Sequence, residues 1–135
     1  MAFTRHVDLE TTDWSTLQPY NVAFINGWKI LEANVGEAKS VPKVRDSEQL
    51  FNLLTNDRTD IVLFEKWEGL YLIEALGLKD VTMLQPPLAT PEMYMYVHEK
   101  HERLIPELSA ALTSIKTDGT YQQIFDRTLK TYDTD

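Results

Sequence analysis

From Tyr20 onward the apolar positions alternate between short continuous runs and a helical spacing. "NVAFI", Asn21 to Ile25, reads as a β-rich strand, and Trp28, Leu31 and Val35 then recur at helical spacing as far as Gly36, a C-cap position. "SVPKVR" reads as a short strand that Pro42 pushes toward a sheet edge. Asp46 opens a D-x-x-Q capping pattern with Gln49 ahead of Leu50, Phe51, Leu53 and Leu54, which predicts a helix. "DIVLF", Asp60 to Phe64, is continuous and apolar, as a strand buried on both faces should be. Trp67, Leu70, Tyr71, Ile73 and Leu76 then form a helical stripe closed by Gly77. "VTMLQPP" predicts a strand ended by two prolines, and "MYMYV", Met93 to Val97, another strand.

Toward the C-terminus, Leu104, Leu108, Ala111, Leu112 and Ile115 mark a longer helix with Pro106 near its start and Asp118-Gly119 as its stop. Thr120 and Gln123 form a T-x-x-Q box opening a last helix, with Tyr121, Ile124, Phe125 and Leu129 on one face, and the tail "DTD" is expected to fray. Residues 1–19 are polar, without a sustained period, and read as irregular; "FTRHV" is the one short piece that fits an extended conformation. Strands alternating with helices across short connections imply an α/β fold with a mostly parallel sheet and helices on both faces. The expected organisation is one domain: an irregular segment over 1–19, an α/β core over 20–98 and C-terminal helices over 99–135.

Composition narrows the class of partner. The 135 residues are 43% apolar and 25% charged, ordinary for one globular domain with a modest core. Thirteen basic against twenty-one acidic side chains give a formal charge of -8, which repels phosphate backbones and argues against nucleic acid. No apolar run approaches the ~20 residues needed to span a bilayer. The start "MAFTRHVDLETTDW" lacks the charged beginning and greasy middle of a signal peptide. Without cysteine, disulfides, thiolate catalysis and cysteine metal sites are closed, and nothing calls for a cofactor.

In a parallel sheet, ligands collect beyond the carboxyl ends of the strands, and two stretches fall there. Gly27 lets the backbone turn tightly after the first βα strand. The helix that follows offers backbone N–H groups and partial positive charge to an anion such as a carboxylate, with Lys29 adding a full charge. The alternative is an ordinary βα turn, since the stretch is neither G-x-G-x-x-G nor a P-loop. In "FEKWEG", Glu65 and Trp67 follow the third strand of the pattern and suit a ligand cation by charge pairing and ring stacking, or else cap the helix and fill core. "HEKHE", His98 to Glu102, lacks the H-E-x-x-H zinc spacing and reads as a solvated loop. Tyr96 and Lys100 fit a Y-x-x-x-K spacing without a glycine-rich fingerprint before them, and no nucleophile elbow or carboxylate pair is present, so no residue is assigned a catalytic role.

The stretches "YNVAFINGWKILE", "DSEQLFNLLTNDRTDIVLFEKWEG" and "MYMYVHEKHERLIPELSAALTSIKTDGTYQQIF", taken in order, resemble the second lobe and C-terminal segment of a family 3 extracellular solute-binding protein, the amino-acid-binding class of type II periplasmic binding proteins. The resemblance runs from about Leu17 to Tyr132, and its most specific part is the close "LTSIKTDGTYQQIF". It implies a periplasmic-binding-protein-like lobe of an ABC-transporter-type, non-enzymatic receptor for a small polar solute such as an amino acid. That solute is bound only weakly by one lobe in isolation.

By that resemblance Gly27, Trp28 and Lys29 stand where the solute's carboxylate is held, and Glu65 stands where its ammonium group is taken. Trp28 occupies a place where Ser or Thr is usual, and Glu65 one where Asp is usual. The resemblance also implies a first lobe, which this segment does not contain, transporter membrane subunits as partners, and a periplasmic or extracellular location. The same lobe architecture serves as the sensing module of receptors and transcription regulators. In the family the last two helices pack on the first lobe. Burying a large apolar side chain is worth ~1.5–3 kcal/mol, against a total stability of ~5–15 kcal/mol for a small domain. Their apolar faces are therefore expected to fold back onto this lobe or to be buried in a homo-oligomer, including by exchange of the C-terminal segment.

Overall fold

The computed structural model describes residues 1–132, and the chain divides into two compact units, Met1–Thr90 and Pro91–Asp135. The first unit is built on a five-stranded sheet, β1 (Ala2–Thr4), β2 (Val22–Ile25), β3 (Lys43–Val44), β4 (Ile61–Leu63) and β5 (Thr82–Leu84), in the order β3-β2-β4-β1-β5. Strand β2 pairs in parallel with β3 and with β4, whereas β1 runs antiparallel to both of its neighbours, β4 and β5. Four strands therefore share one direction and β1 opposes them. The sheet is mostly parallel, as its βα pattern requires, and the short β3 lies at the edge where Pro42 placed it.

Successive side chains of a strand face opposite sides of a sheet, and here each side has its own core. One gathers Ala2, Val22, Phe24, Ile61, Leu63 and Leu84 with Leu17, Leu31 and Val35; the other gathers Phe3, Ala23, Val62 and Phe64 with Leu50, Phe51, Leu54 and Leu72. Helix α1 (Lys29–Asn34) thus covers the first face, and α2 (Ser47–Thr55) and α3 (Lys66–Ala75) cover the second. Each large side chain here that is withdrawn from water contributes about 1.5–3 kcal/mol.

The Asp46 pattern works as expected at its N-cap: the carboxylate accepts the Gln49 N–H at 2.8 Å and starts α2. Asp46→Ala is expected to lower the stability of this unit by about 1 kcal/mol, read as an earlier urea midpoint with an unchanged slope. Gly77 closes α3 in the left-handed region, φ 65°. Gly36 does not serve α1 in that way. The helix ends at Val35, whose N–H reaches Leu31 O, and the left-handed glycines among the described residues are Gly27, Gly77 and Gly119.

The segment read as irregular contains the most central surprise: Ala2–Thr4 is an interior strand. Its three residues are too few to show a period, and polar groups in and after it are paired by hydrogen bonds. Thr4 Oγ1 donates to Asp60 O at 2.8 Å, and Thr11, fully buried, donates its N–H to Gln85 O and its hydroxyl to Pro86 O.

In the second unit, α4 (Ile105–Thr117) begins with Pro106 in its first turn and α5 (Thr120–Thr128) follows, and the two pack on each other. The T-x-x-Q box does not form: Gly119, at φ 84°, is the N-cap of α5, and the Asp118 carboxylate accepts the Thr120 N–H at 2.9 Å. An aspartate directly ahead of a left-handed glycine reaches the first free N–H before the threonine can. Nor is "MYMYV" a strand. It has no ladder partner, and Met93 to Tyr96 are 64–92% exposed. Its composition favours extended structure, but a strand exists only where another edge accepts its hydrogen bonds. His98 starts a 3-10 turn, Glu99–Leu104, its ring Nδ1 accepting the Lys100 N–H. The tail 133–135 lies outside the described residues.

Candidate functional site

Because β3, β2 and β4 are parallel and in register, their carboxyl ends reach one edge of the sheet together: Val44 lies beside Ile25, and Phe24 beside Leu63. The chain leaves that edge three times into a helix, through Gly27 into α1, Asp46 into α2 and Glu65 into α3. Gly27 and Glu65 therefore follow adjacent strand ends at one rim. Gly27 sits at φ 96°, where a side chain would strain the backbone even though the space around it is open.

Trp28 is the N-cap of α1 and makes no side-chain cap bond. Its ring stacks on Phe64 at 5.6 Å between centroids and 28° between planes, so one wall of the rim is an aromatic pair continuous with the core. Phe64 in turn meets Phe51 edge-on at 6.1 Å.

The charges at Gly27 are already matched from within. Glu32 accepts the Gly27 N–H at 3.1 Å and pairs with Lys29 at 3.0 Å and with Lys43 at 3.6 Å. The Lys29 side chain is 89% exposed and that of Glu32 22%. The hydrogen bond from Lys29, then that from Gly27, holds the Glu32 carboxyl below its ordinary range. Sequence reading passed over Glu32 and Lys43. The signal for Glu32 was its place three residues beyond Lys29, on the same helix face.

Glu65 caps α3, its carboxylate accepting the Glu68 N–H at 2.8 Å. One oxygen serves that cap, and a carboxylate has acceptor capacity for more than one donor. Trp67, in the first turn of α3, is half-buried and belongs to neither core cluster; the Lys66 ammonium stands 4.5 Å over its ring. The five residues thus come to one rim: an aromatic wall, a capped carboxylate and a turn whose donor is held by Glu32. Cavities also lie away from the rim. One of ≈ 280 Å³ is lined by Arg5, His6, Val7, Leu54, Asp57, Thr59 and Asp60 at the opposite edge, and one of ≈ 140 Å³ lies beside Trp14 and Val35. Among the described residues no group of His, Asp and Glu is arranged to hold a metal ion.

No protein-family model matches the chain, and no curated protein does. Solved structures do match. An ancestral arginine-binding protein bound to glutamine is 18% identical over 94% of this chain and 57% of its own, with a TM-score of 0.76. Domain 2 of TmArgBP taken alone matches 66% of this chain and 97% of its own, at 16% identity and a TM-score of 0.54. The fold is that of a periplasmic-binding-protein-like lobe. A histidine kinase sensor domain with similarity to periplasmic binding proteins shares it, at 21% identity over 95% of this chain and 57% of that one, TM-score 0.71. So does an ancestral cyclohexadienyl dehydratase, at 17% identity over 96% and 56%, TM-score 0.52, which shows that such a lobe also occurs in an enzyme. The chain spans little more than half the length of these longer solved structures.

Proposed function

We propose that this lobe is the solute-binding half of an ABC-transporter-type extracellular receptor, non-enzymatic, working in the periplasm or outside the cell with a first lobe and membrane subunits that receive the cargo. It holds part of a small, polar, amino-acid-like solute at the rim of Gly27, Trp28, Lys29, Glu65 and Trp67. The observation that carries this reading is the convergence of the Gly27 turn and Glu65 on adjacent parallel strand ends, in a fold shared with an arginine-binding protein.

The charges suggest how the grip is divided. A solute carboxylate competes with Glu32 for Gly27 and Lys29, and an ammonium or guanidinium group meets a Glu65 carboxylate that caps the Glu68 N–H and interacts with the Met1 ammonium. Tight small-molecule sites enclose about 70–90% of the ligand, which one lobe does not do.

Calorimetric titration with arginine and glutamine tests the site. Weak binding is expected, with Kd on the order of millimolar, lost in Glu65→Ala and weakened in Lys29→Glu. Tight binding that survives both substitutions would place the site elsewhere.

A second reading, a ligand-sensing module of a receptor or transcription regulator, is favoured by the likeness to the histidine kinase sensor domain. Among the described residues no helix is long and apolar enough to cross a membrane. A membrane span or a DNA-binding segment encoded beside this lobe would favour the sensor over the transporter. Turnover of any solute that disappears with Glu65→Ala would overturn the non-enzymatic reading.

A further inference from the structure

The turn between β2 and α1 carries Asn26 directly ahead of Gly27, and both residues are exposed. A backbone nitrogen that follows asparagine can attack the side-chain carbonyl of that asparagine and close an imide ring. The attack needs a side-chain amide free to swing, a next residue that does not crowd the ring, and water at both groups. The chain holds five asparagines, and the structure separates them on these requirements. Asn21 donates its side-chain amide to Asp60 at 2.8 Å and accepts the Ser40 hydroxyl at 2.9 Å. Asn34 and Asn56 donate theirs to Ile30 O and Asn52 O, at 2.7 and 2.8 Å. Asn52 lies inside α2, where the backbone N–H groups serve the helix ladder, and the branched side chain of Leu53 follows it.

Asn26 meets every requirement. Its side-chain amide has no hydrogen-bond partner among the described residues, while its own N–H, bonded to Val44 O at 3.0 Å, fixes the backbone from which it swings. Gly27 has no Cβ, and one built there would meet nothing within 4 Å, so the ring closes in open space.

We propose that Asn26 is a deamidation site, with water as the co-reactant. The Gly27 nitrogen gives up its proton and bonds to Asn26 Cγ, the bond from Cγ to the side-chain nitrogen breaks, and that nitrogen leaves as ammonia. Water then opens the imide at either carbonyl. One opening restores the backbone with aspartate at position 26; the other leaves isoaspartate, the chain now running through the side-chain carbon. Glu32 acts as the brake. Its Oε1 accepts the Gly27 N–H at 3.1 Å, and Lys29 at 3.0 Å and Lys43 at 3.6 Å hold the carboxylate there. While that bond stands the attacking nitrogen keeps its proton, and the charge of the carboxylate opposes an amide anion beside it.

Either product adds a negative charge to a chain already at -8, one residue from the Gly27 turn. Isoaspartate also inserts a methylene at the end of β2, beside the bond from Asn26 to Val44. A carboxylate offered to Gly27 is then repelled, so conversion lowers the hold on a carboxylate-bearing solute. That consequence rests on the solute reading of the rim, whereas the conversion itself does not.

Incubation of the full chain at mildly alkaline pH, followed by peptide mapping with isoaspartate detection, tests the site. Conversion at Asn26 is expected to run at least about tenfold faster than at Asn21, Asn34, Asn52 or Asn56. Glu32→Gln keeps the size of the side chain and removes its charge, and should speed conversion by about threefold or more with the urea midpoint unchanged. In a separate titration, Asn26→Asp, standing in for the converted chain, should raise the Kd for arginine about threefold. Conversion at Asn26 no faster than at the other asparagines, or a Glu32→Gln rate equal to the native one, overturns the proposal. A native chain that fails to bind arginine overturns the solute reading instead, and the peptide map still decides the site.

Discussion

Gly69→Ala is expected to destabilise the Met1–Thr90 unit by about 2 kcal/mol or more, the opposite sign from its helix propensity. Within an exposed helix, alanine in place of glycine gains ~1 kcal/mol. Gly69 is buried in α3, however, and a Cβ built there lies 2.3 Å from Phe3 Cζ, 2.7 Å from Cε2 and 3.1 Å from Cε1. The Phe3 ring has no free direction, being fully buried and tilted against Phe51 at 5.6 Å. Overpacking of this kind costs about 1–3 kcal/mol and occasionally more, and here the contact is at the severe end. At ~4–8 °C per kcal/mol for a unit of this size, the melting temperature should fall by about 10 °C. Adding Phe3→Leu removes the clashing ring edge and should recover part of the loss in a double-mutant cycle. An unchanged or raised melting temperature in the single variant would show that the strand and helix can separate without cost.

Phe51→Ala should be costlier still, by about 3–5 kcal/mol. Phe51 is fully buried and touches two aromatic partners, Phe3 at 5.6 Å and Phe64 at 6.1 Å, so its removal leaves a void that neither ring can fill while keeping its other contacts. Small domains hold ~5–15 kcal/mol in total, and a large part of that reserve would be gone. Because Phe64 carries Trp28, the loosening also reaches the rim, and solute binding should weaken in parallel with the urea midpoint. A midpoint within experimental error of the native one would contradict the packing described here.

The parts of the fold legible in the sequence were those with redundant signals. Asp46 stood ahead of a four-residue apolar stripe, Ile61 to Phe64 of "DIVLF" was apolar throughout, and each predicted an element that formed. Where a single signal stood alone, tertiary context decided. Ala2–Thr4 shows no period and owes its place to two neighbouring strands from the far side of the sequence, whereas Met93 to Val97 has the composition of a strand and no edge to join. Glycine alone was likewise ambiguous: Gly77 and Gly119 are left-handed, and Gly36 is not.

At the rim, the position of Gly27 and Glu65 followed from strand direction, which the βα alternation made readable. What each side chain does there did not follow. Both readings of Glu65, cap and ligand acid, were open from sequence, and the cap is what its Glu68 contact describes. Trp28, which the resemblance places where a solute's carboxylate is held, stacks on Phe64, and the counter-charge for Lys29 comes from Glu32, which no motif marks. Such partnerships depend on distances of a few ångströms between helix and strand ends, and spacing along the chain does not encode them.

Strand β1 has a kinetic meaning. It is the sole hydrogen-bonded link between β4 and β5 in the sheet order, and its partners lie some sixty and eighty positions away, Ala2 against Leu63 and Leu84. During folding, β2, β3 and β4 can assemble from near neighbours, while β1 must wait for most of the unit to exist before either of its edges has anything to zip onto. Pairings this distant slow folding because the chain must close a long loop before any contact repays it. Until that late insertion, β4 and β5 present bare edges, and this is the interval in which the nascent lobe is most open to joining the wrong chain.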